Sequence, residues 1–416
     1  MTSLSASPVL TTSAWFVPGR VELLGKHTDY AGGRSLLAAV DLGHTVTARA
    51  REDRVLRVVS SLAEDAVELD LDAPAAAAPA EDGHWSGYVR TVAARLDANF
   101  PGMLRGAEVE ITSTLPPAAG MSSSSALIVG LALVLIDLSG IAQDPRFVRA
   151  VPDREHLAEY LGTLENGQSF GELAGDRGVG TFGGSEDHTA MLCVPEGGLV
   201  QYSFCPVQRE REVPFPEGHC LVIAVSGVEA HKTGAAREDY NRISLAAAEI
   251  LRRWNLDRAR MDPTLAAAVA TAPTSAAAIA GLVAGEDYLP GRLEQFLAES
   301  ERLVPAAAVA LEDGDLEELG RLVDESQAAA EQHLGNQVPE TIALQRTARS
   351  LGAVAASAFG AGFGGSVWAL VPDAQADAFA RDWEAAYLAA FPQHRGAARV
   401  LRTRPGRAAH RREVTA

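Results

Sequence analysis

Four segments of the chain combine residue types that could do chemistry together. The first is Pro116-Pro117-Ala118-Ala119-Gly120-Met121-Ser122-Ser123-Ser124-Ser125, directly before the apolar run Ala126 to Leu138. A helix start offers unpaired N–H groups and the positive end of a dipole, both suited to a phosphate. Small residues let those N–H groups approach, and serine hydroxyls can bind phosphate oxygens or magnesium. One serine suffices to cap a helix; four in succession favour a phosphate loop. The second segment is Gly183-Gly184-Ser185-Glu186-Asp187-His188, with Glu165-Asn166 upstream. A carboxylate beside a phosphate site can accept the proton of an acceptor hydroxyl or hold magnesium, although alone such a turn is an ordinary solvated loop.

The third segment, Pro18 to Gly33, packs Arg20, Glu22, Lys26, His27, Asp29 and Tyr30 between glycines. Carboxylates and imidazoles that bond adjacent hydroxyls are what sugar recognition requires; the bland reading is a charged surface turn. The fourth, Gly360 to Ser366, formally matches GxGxxG. That fingerprint needs a strand before it and a helix after it. The expected order here is helix, loop, strand, which excludes a Rossmann site and leaves a glycine turn packed on another loop. A GxxxxGK[ST] loop is absent, since Lys232-Thr233 follows His231. A nucleotide must therefore sit in a non-Walker arrangement.

The elements that position these segments are mixed. Runs between Trp15 and Asp70, notably Thr45 to Ala48 and Val55 to Val59, predict strands of an antiparallel sheet. Asp72 to Asp82 reads as an Ala/Pro loop, Gly87 to Leu96 as a helix and Val109 to Ile111 as a short strand. Ala126 to Leu138 is long enough for a buried helix. Short strand-like pieces between Glu196 and Pro216 mark the expected domain boundary. Beyond it come a strand at Leu221 to Val225, Ala-rich helices through Thr347 to Ala358, and a strand at Val367 to Val371. Another helix follows, and Arg399 to Arg412 holds one last strand and a solvated tail. Without regular βα alternation, the class is α+β.

Composition narrows the function classes. At 416 residues, two domains are expected. A net charge of −18 argues against nucleic acid, but not against a local nucleotide site where magnesium supplies positive charge. Cys193, Cys205 and Cys220 are too few and too scattered for a disulfide framework or a CxxC zinc site, and read as buried or inert thiols. Met1 to Leu10 lacks a basic n-region, and the run Ala126 to Ile136 falls short of the roughly 18 residues of a membrane span. The expectation is a cytoplasmic protein. Of 36 basic residues only Lys26 and Lys232 are lysines, and both fall in segments singled out on other grounds.

Together these segments resemble the galactokinases, members of the GHMP small-molecule kinase superfamily. The family's opening signature, Gly-Arg-Val-Asn-Leu-Ile-Gly-Glu-His-Thr-Asp-Tyr-Asn-Gly-Gly, stands here as Gly19 to Gly33. Its phosphate loop, Pro-x-x-x-Gly-Leu-Ser-Ser-Ser-Ala, is similar to Pro116 to Ser125, with Met121 for leucine. The Gly-Ala-Gly-Phe-Gly-Gly turn, Ser226 to Lys232, Tyr240 to Arg242 and Asn336 to Glu340 also resemble family segments. The resemblance spans nearly the whole chain. It implies a two-domain GHMP kinase fold: an N-terminal domain like ribosomal protein S5 domain 2 (1–210) and a ferredoxin-like C-terminal domain (211–416), with the site between them.

It also implies roles. Asp187 is the catalytic aspartate facing the acceptor hydroxyl, and Arg20 steadies the transferred phosphoryl group. Pro116, Gly120, Met121, Ser122, Ser123, Ser124 and Ser125 hold ATP, and Ser124 with Glu165 holds magnesium. Lys26, His27, Asp29, Gly184 and Tyr240 fall on sugar-contacting positions. The implied reaction is Mg-ATP-dependent phosphorylation of the anomeric hydroxyl of an aldose, with galactose the default. The partners are small molecules only, with no nucleic acid and no membrane, in a monomer or weak dimer. Inactive sugar-sensing relatives exist, but Arg20 and Asp187 are both present here. A mevalonate or homoserine acceptor conflicts with the sugar-type signature at His27 to Tyr30.

Two departures bear on the sugar. The family carries glutamate at Lys26, a position that looks at the C6 hydroxyl, and Gly-Ile-Met-Asp-Gln where this chain has Gly184 to His188. A lysine there suits a C6 carboxylate, as in a hexuronate. Alternatively Glu22 or Glu186 pairs with Lys26 and leaves a neutral-sugar pocket. The Glu165 to Asp187 segment is also longer than in the family.

Overall fold

The computed structural model describes residues 11–73, 84–116, 120–228 and 235–413. Pro117 to Ala119 of the serine loop, Lys232 and most of the Ala/Pro loop lie outside them. Twelve strands are described: β1 (Thr12–Leu24), β2 (Arg34–Ala50), β3 (Val55–Ser60), β4 (Val67–Asp70), β5 (Ala107–Ser113), β6 (Leu199–Ser203), β7 (Gln208–Val213), β8 (His219–Val225), β9 (Ala355–Ala358), β10 (Ser366–Pro372), β11 (Arg399–Thr403) and β12 (His410–Arg411).

The first sheet runs β12-β1-β2-β5-β3-β4, with β6 also on β2 and β7 on β6. Its pairs are antiparallel except one: β3 and β5 run parallel, so the sheet is mixed where an antiparallel one is expected. β1 and β2 form a long hairpin, and the turn between them carries Gly25 to Gly33. Across the hairpin lies the helix Ser123–Ser139, whose residues from Ser125 to Ile136 are all buried. Each of its large apolar side chains contributes about 1.5–3 kcal/mol by leaving water. The helix stops at Gly140, whose left-handed φ of +66° lets its N–H close on Asp137 and Ile136.

The second sheet has the order β11-β8-β10-β9, all antiparallel. With helices between β8 and β9 and between β10 and β11, this is the split βαβ arrangement of a ferredoxin-like domain. Alternation divides its faces. Cys220, Val222 and Ala224 of β8 pack with the helices Pro339–Ser350 and Ala376–Ala390. Leu221, Ile223 and Val225 join the core of the first sheet. One continuous apolar core thus ties the two sheets across the cleft that holds the site.

Three sequence readings are corrected. Helix does not extend to Ala358: it ends at Ser350, Gly352 takes φ +92°, and Ala355–Ala358 is strand β9, buried on both faces. The glycine turn therefore joins two strands, and since no helix follows it the Rossmann exclusion stands. Among the described residues the segment after β11 is not a solvated tail: Ala408 and Ala409 are buried and β12 pairs with β1. β7 also runs unbroken across residue 210, so the chain passes between sheets after Val213 and before His219. Cys193 and Cys220 are buried, and Cys205 is exposed. No helix among the described residues is long and apolar enough to cross a membrane.

Candidate active site

Arg20 stands on β1 and is only 3% exposed. Its Nε donates to Asp187 Oδ1 at 2.5 Å and its Nη1 to the carbonyl of Gly120 at 2.6 Å. Burial alone would lower the guanidinium's pKa; Asp187, Glu186 and Glu22 outweigh it and raise it above the usual value. Asp187 lies in the first turn of the helix Glu186–Cys193, and Ser122 Oγ donates to its second oxygen. Ser122 occupies the left-handed region at φ +55°, an uncommon conformation for a residue with a side chain. It caps the buried helix by position and not by a side-chain bond, which leaves its hydroxyl for Asp187.

Ser125 Oγ donates to Glu165 Oε1 at 2.6 Å and lies 3.3 Å from Asp187 Oδ2. Ser125, not Ser124, is thus the serine bonded to Glu165; Ser124 is half-buried one residue earlier in the helix. His188 Nε2 lies 3.8 Å from the same Glu165 oxygen. Pro116 and Met121 flank the serines, and Met121 is buried in the core. His44 holds the start of the helix through Ser123, 3.0 Å from its carbonyl, and burial lowers its pKa.

The signature turn supplies the other wall. His27 Nε2 lies 3.1 Å from the carbonyl of Ala361, which can only accept, so Nε2 carries the proton. His27 Nδ1 then accepts from Tyr30 Oη at 3.1 Å, and the Tyr240 ring stands 5.4 Å from the imidazole. Behind the turn, buried Arg292 donates to the carbonyl of His27 at 2.5 Å. Asp29 Oδ2 accepts from the Glu186 N–H at 3.2 Å. Gly184 permits this approach, because a Cβ there would lie 2.4 Å from Asp29 Oδ2. Burial, with Asp29 and Tyr30 nearby, raises the Tyr240 hydroxyl well above its usual value and keeps it protonated.

One cavity gathers Arg20, His27, Asp29, Glu165, Gly184, Asp187 and Tyr240, with Gly360 and Ala361 of the glycine turn. Gly360 (φ +76°) brings its backbone against Arg20 and Gly120, so two glycine loops meet at the guanidinium. Lys26 is not among the lining residues. It is 1% exposed, and its Nζ donates to Ser326 Oγ at 2.9 Å, which in turn donates to Glu299 Oε1 at 2.9 Å. The same Glu299 oxygen accepts the Gly25 N–H at 2.7 Å.

Sequence reasoning weighed Glu22 and Glu186 only as partners for Lys26, yet both line the cavity. The two carboxyls lie close enough to act on each other, and Ser35 Oγ donates to Glu186 Oε2 at 2.5 Å. Burial pushes Glu22 up to about 7, against the pull of Lys26 and Arg20. Burial, then Glu22 and Asp29, raise Glu186 well above the ordinary value. The available signal was spacing: Glu22 lies two residues from Arg20 on one strand, hence on one face. A second cavity of about 420 Å³ shares Tyr30, Gly183 and Gly184 with the first. Phe170 and Phe182 of the long segment form part of its wall.

Among the described residues no group of three or more His, Cys, Asp or Glu is arranged to hold a metal unaided. Glu165 and the neighbouring hydroxyls are hard oxygen donors. That set fits a magnesium ion that keeps most of its ligands from phosphate and water.

Residues 8–50 match the galactokinase galactose-binding signature, 87–172 the GHMP kinases N terminal domain, and 307–389 the GHMP kinases C terminal region. A galactokinase of Roseiflexus sp. (strain RS-1) is 29% identical over 378 residues, covering 89% of this chain and 86% of its own. The structure of Lactococcus lactis galactokinase complexed with galactose superposes with a TM-score of 0.77 at 24% identity, covering 97% of this chain and 95% of that one. L. major mevalonate kinase in complex with R-mevalonate follows the same fold more distantly, with a TM-score of 0.57 at 18% identity, covering 97% and 99%.

Proposed function

We propose, because this chain belongs to the GHMP kinase superfamily and is a galactokinase-like sugar phosphotransferase, that it moves the γ-phosphoryl group of ATP onto the anomeric (C1) hydroxyl of galactose. The observation that carries this reading is the Arg20–Asp187 pair at 2.5 Å, fastened to the serine loop through Gly120 and Ser122. In that position Asp187 accepts the proton of the attacking hydroxyl, and Arg20 stabilises negative charge on the phosphoryl group in transit. Preorganised charge of this kind is usually the larger catalytic term. The loop Gly120 to Ser125 approaches the ATP phosphates with small side chains and helix N–H groups. Glu165 and Ser125, with Ser124 beside them, would hold the magnesium ion, which neutralises phosphate charge when bound. His27, Asp29, Tyr240 and the backbone at Gly184 bind the sugar hydroxyls. Lys26 bonds Ser326 and pulls on Glu22 instead of lining the cavity itself, which favours the neutral-sugar reading over a C6-carboxylate acceptor.

The test is turnover of Asp187→Asn with product identification by phosphorus NMR. Wild-type protein is expected to give an α-anomeric sugar phosphate. The variant should lose about 10²–10⁴ in kcat while still binding ATP. Near-normal turnover by the variant, or phosphate on another carbon, overturns the assignment.

A further inference from the structure

We infer that the acceptor this cavity takes best is a galactose-configured hexose carrying a primary amine, recognised as an ammonium by Glu22 and Glu186. The inference rests on the sugar-kinase reading and names the substrate class of that same site. Five carboxyl side chains line the cavity: Glu22, Asp29, Glu165, Glu186 and Asp187. Arg20 is the guanidinium among the described lining residues, and it is bonded to Asp187. On the inner side Lys26 and Glu299 are joined through Ser326. Behind the signature turn Arg292 is bonded to the His27 carbonyl and Gln295. Lys26 and Arg20 both act on Glu22 as well, yet Glu22 and Glu186 still share a buried corner with Asp29 beside them, so carboxyls outnumber cations there.

A second observation is independent of the charge tally. Glu22 is 2% exposed, and its Oε1 has no hydrogen-bond donor among the described residues. A buried carboxyl oxygen left without a donor is unfavourable and rare. An ammonium brings three donors and the missing positive charge together. A neutral hydroxyl brings one donor, and a carboxylate meets like charge. Burial also raises both carboxyls above the usual range, Glu22 against the pull of Lys26 and Arg20, and Glu186 with Glu22 and Asp29 adding to it.

The experiment compares kcat/KM, by coupled ADP release, for galactose, galactosamine, 6-amino-6-deoxygalactose, N-acetylgalactosamine and galacturonate. One of the free amines is expected to exceed galactose by roughly tenfold or more, the scale of one charge-assisted bond. In Glu22→Gln, and separately in Glu186→Gln, that ratio should collapse towards unity. Equal or better use of galactose, or an unchanged ratio in both folded variants, overturns the inference while leaving the kinase reading intact. If no sugar yields ADP the kinase reading fails. Calorimetric titration of the amines and galactose against the same protein then decides the inference, with weaker or equal amine binding overturning it.

Discussion

Glu22 and Arg20 face the same side of β1 because a strand turns alternate side chains together, and their opposite charges settle in one buried place. The consequence is a pH dependence of stability. A carboxyl whose folded pKa lies above its unfolded value holds its proton more tightly when folded. Its contribution is full below the ordinary 4.5 and is lost as pH rises through about 7. Wild-type thermal stability should therefore fall across that interval, and Glu22→Gln should fall less, by on the order of 1 kcal/mol or more. Melting curves of both proteins check this; parallel pH profiles would show that Glu22 is not the titrating group. At this scale Arg20 was legible from the signature around it, and Asp187 as the carboxylate that follows Gly183-Gly184, although its neighbours depart from the family's. Lys26 was not, since its partner Ser326 lies 300 residues further along the chain. A sequence cannot say to which side a buried lysine turns.

The helix Ser123–Ser139 was legible from its unbroken apolar run, and β2 and β3 from the β-branched runs Thr45 to Ala48 and Val55 to Val59, but the pairing of β1 with β2 was not. Nor was β9. Alanine favours helix, yet Ala355, Ala356 and Ala358 are alanines because a strand packed on both faces has no room for more. Tertiary burial overrode local preference there. The segment between the helix Arg154–Asn166 and Asp187 shows how loop and helix cooperate: it returns Gly184 against Asp29 while adding Phe170 and Phe182 to a neighbouring cavity. Gly184→Ala places a methyl group 2.4 Å from Asp29 Oδ2, so one of the two must move. We expect a loss of roughly tenfold to a hundredfold in kcat/KM for the sugar, most of it in KM, with ATP affinity little changed. Steady-state kinetics in both substrates measures it; an effect confined to ATP would place Gly184 in the wrong half of the site.

Across the whole molecule, both sheets contribute to one core, and the site lies where their loops meet. The return of the chain to the first sheet was hidden in the sequence. A stretch as short as β12, with arginines around it, carries no strand signal of its own. Its place is set by distant partners: Arg411 reaches Asp137 and stacks on Trp15, and the Ala409 N–H bonds the Met191 carbonyl at 2.8 Å. Stopping the chain after Thr403 should lower the melting temperature by at least about 1 °C, the shift that about 1 kcal/mol produces in a protein of 416 residues. A melting temperature equal to wild type would show that the first sheet does not depend on β12.

That returning strand also gives the molecule a line of force. β12 grips β1 at Trp15 and Phe16, β2 grips it from the other side, and the same strand carries Arg20 a few residues further along. A mechanical load applied to the segment beyond β11 would therefore reach the proposed phosphoryl-stabilising arginine through a single continuous strand.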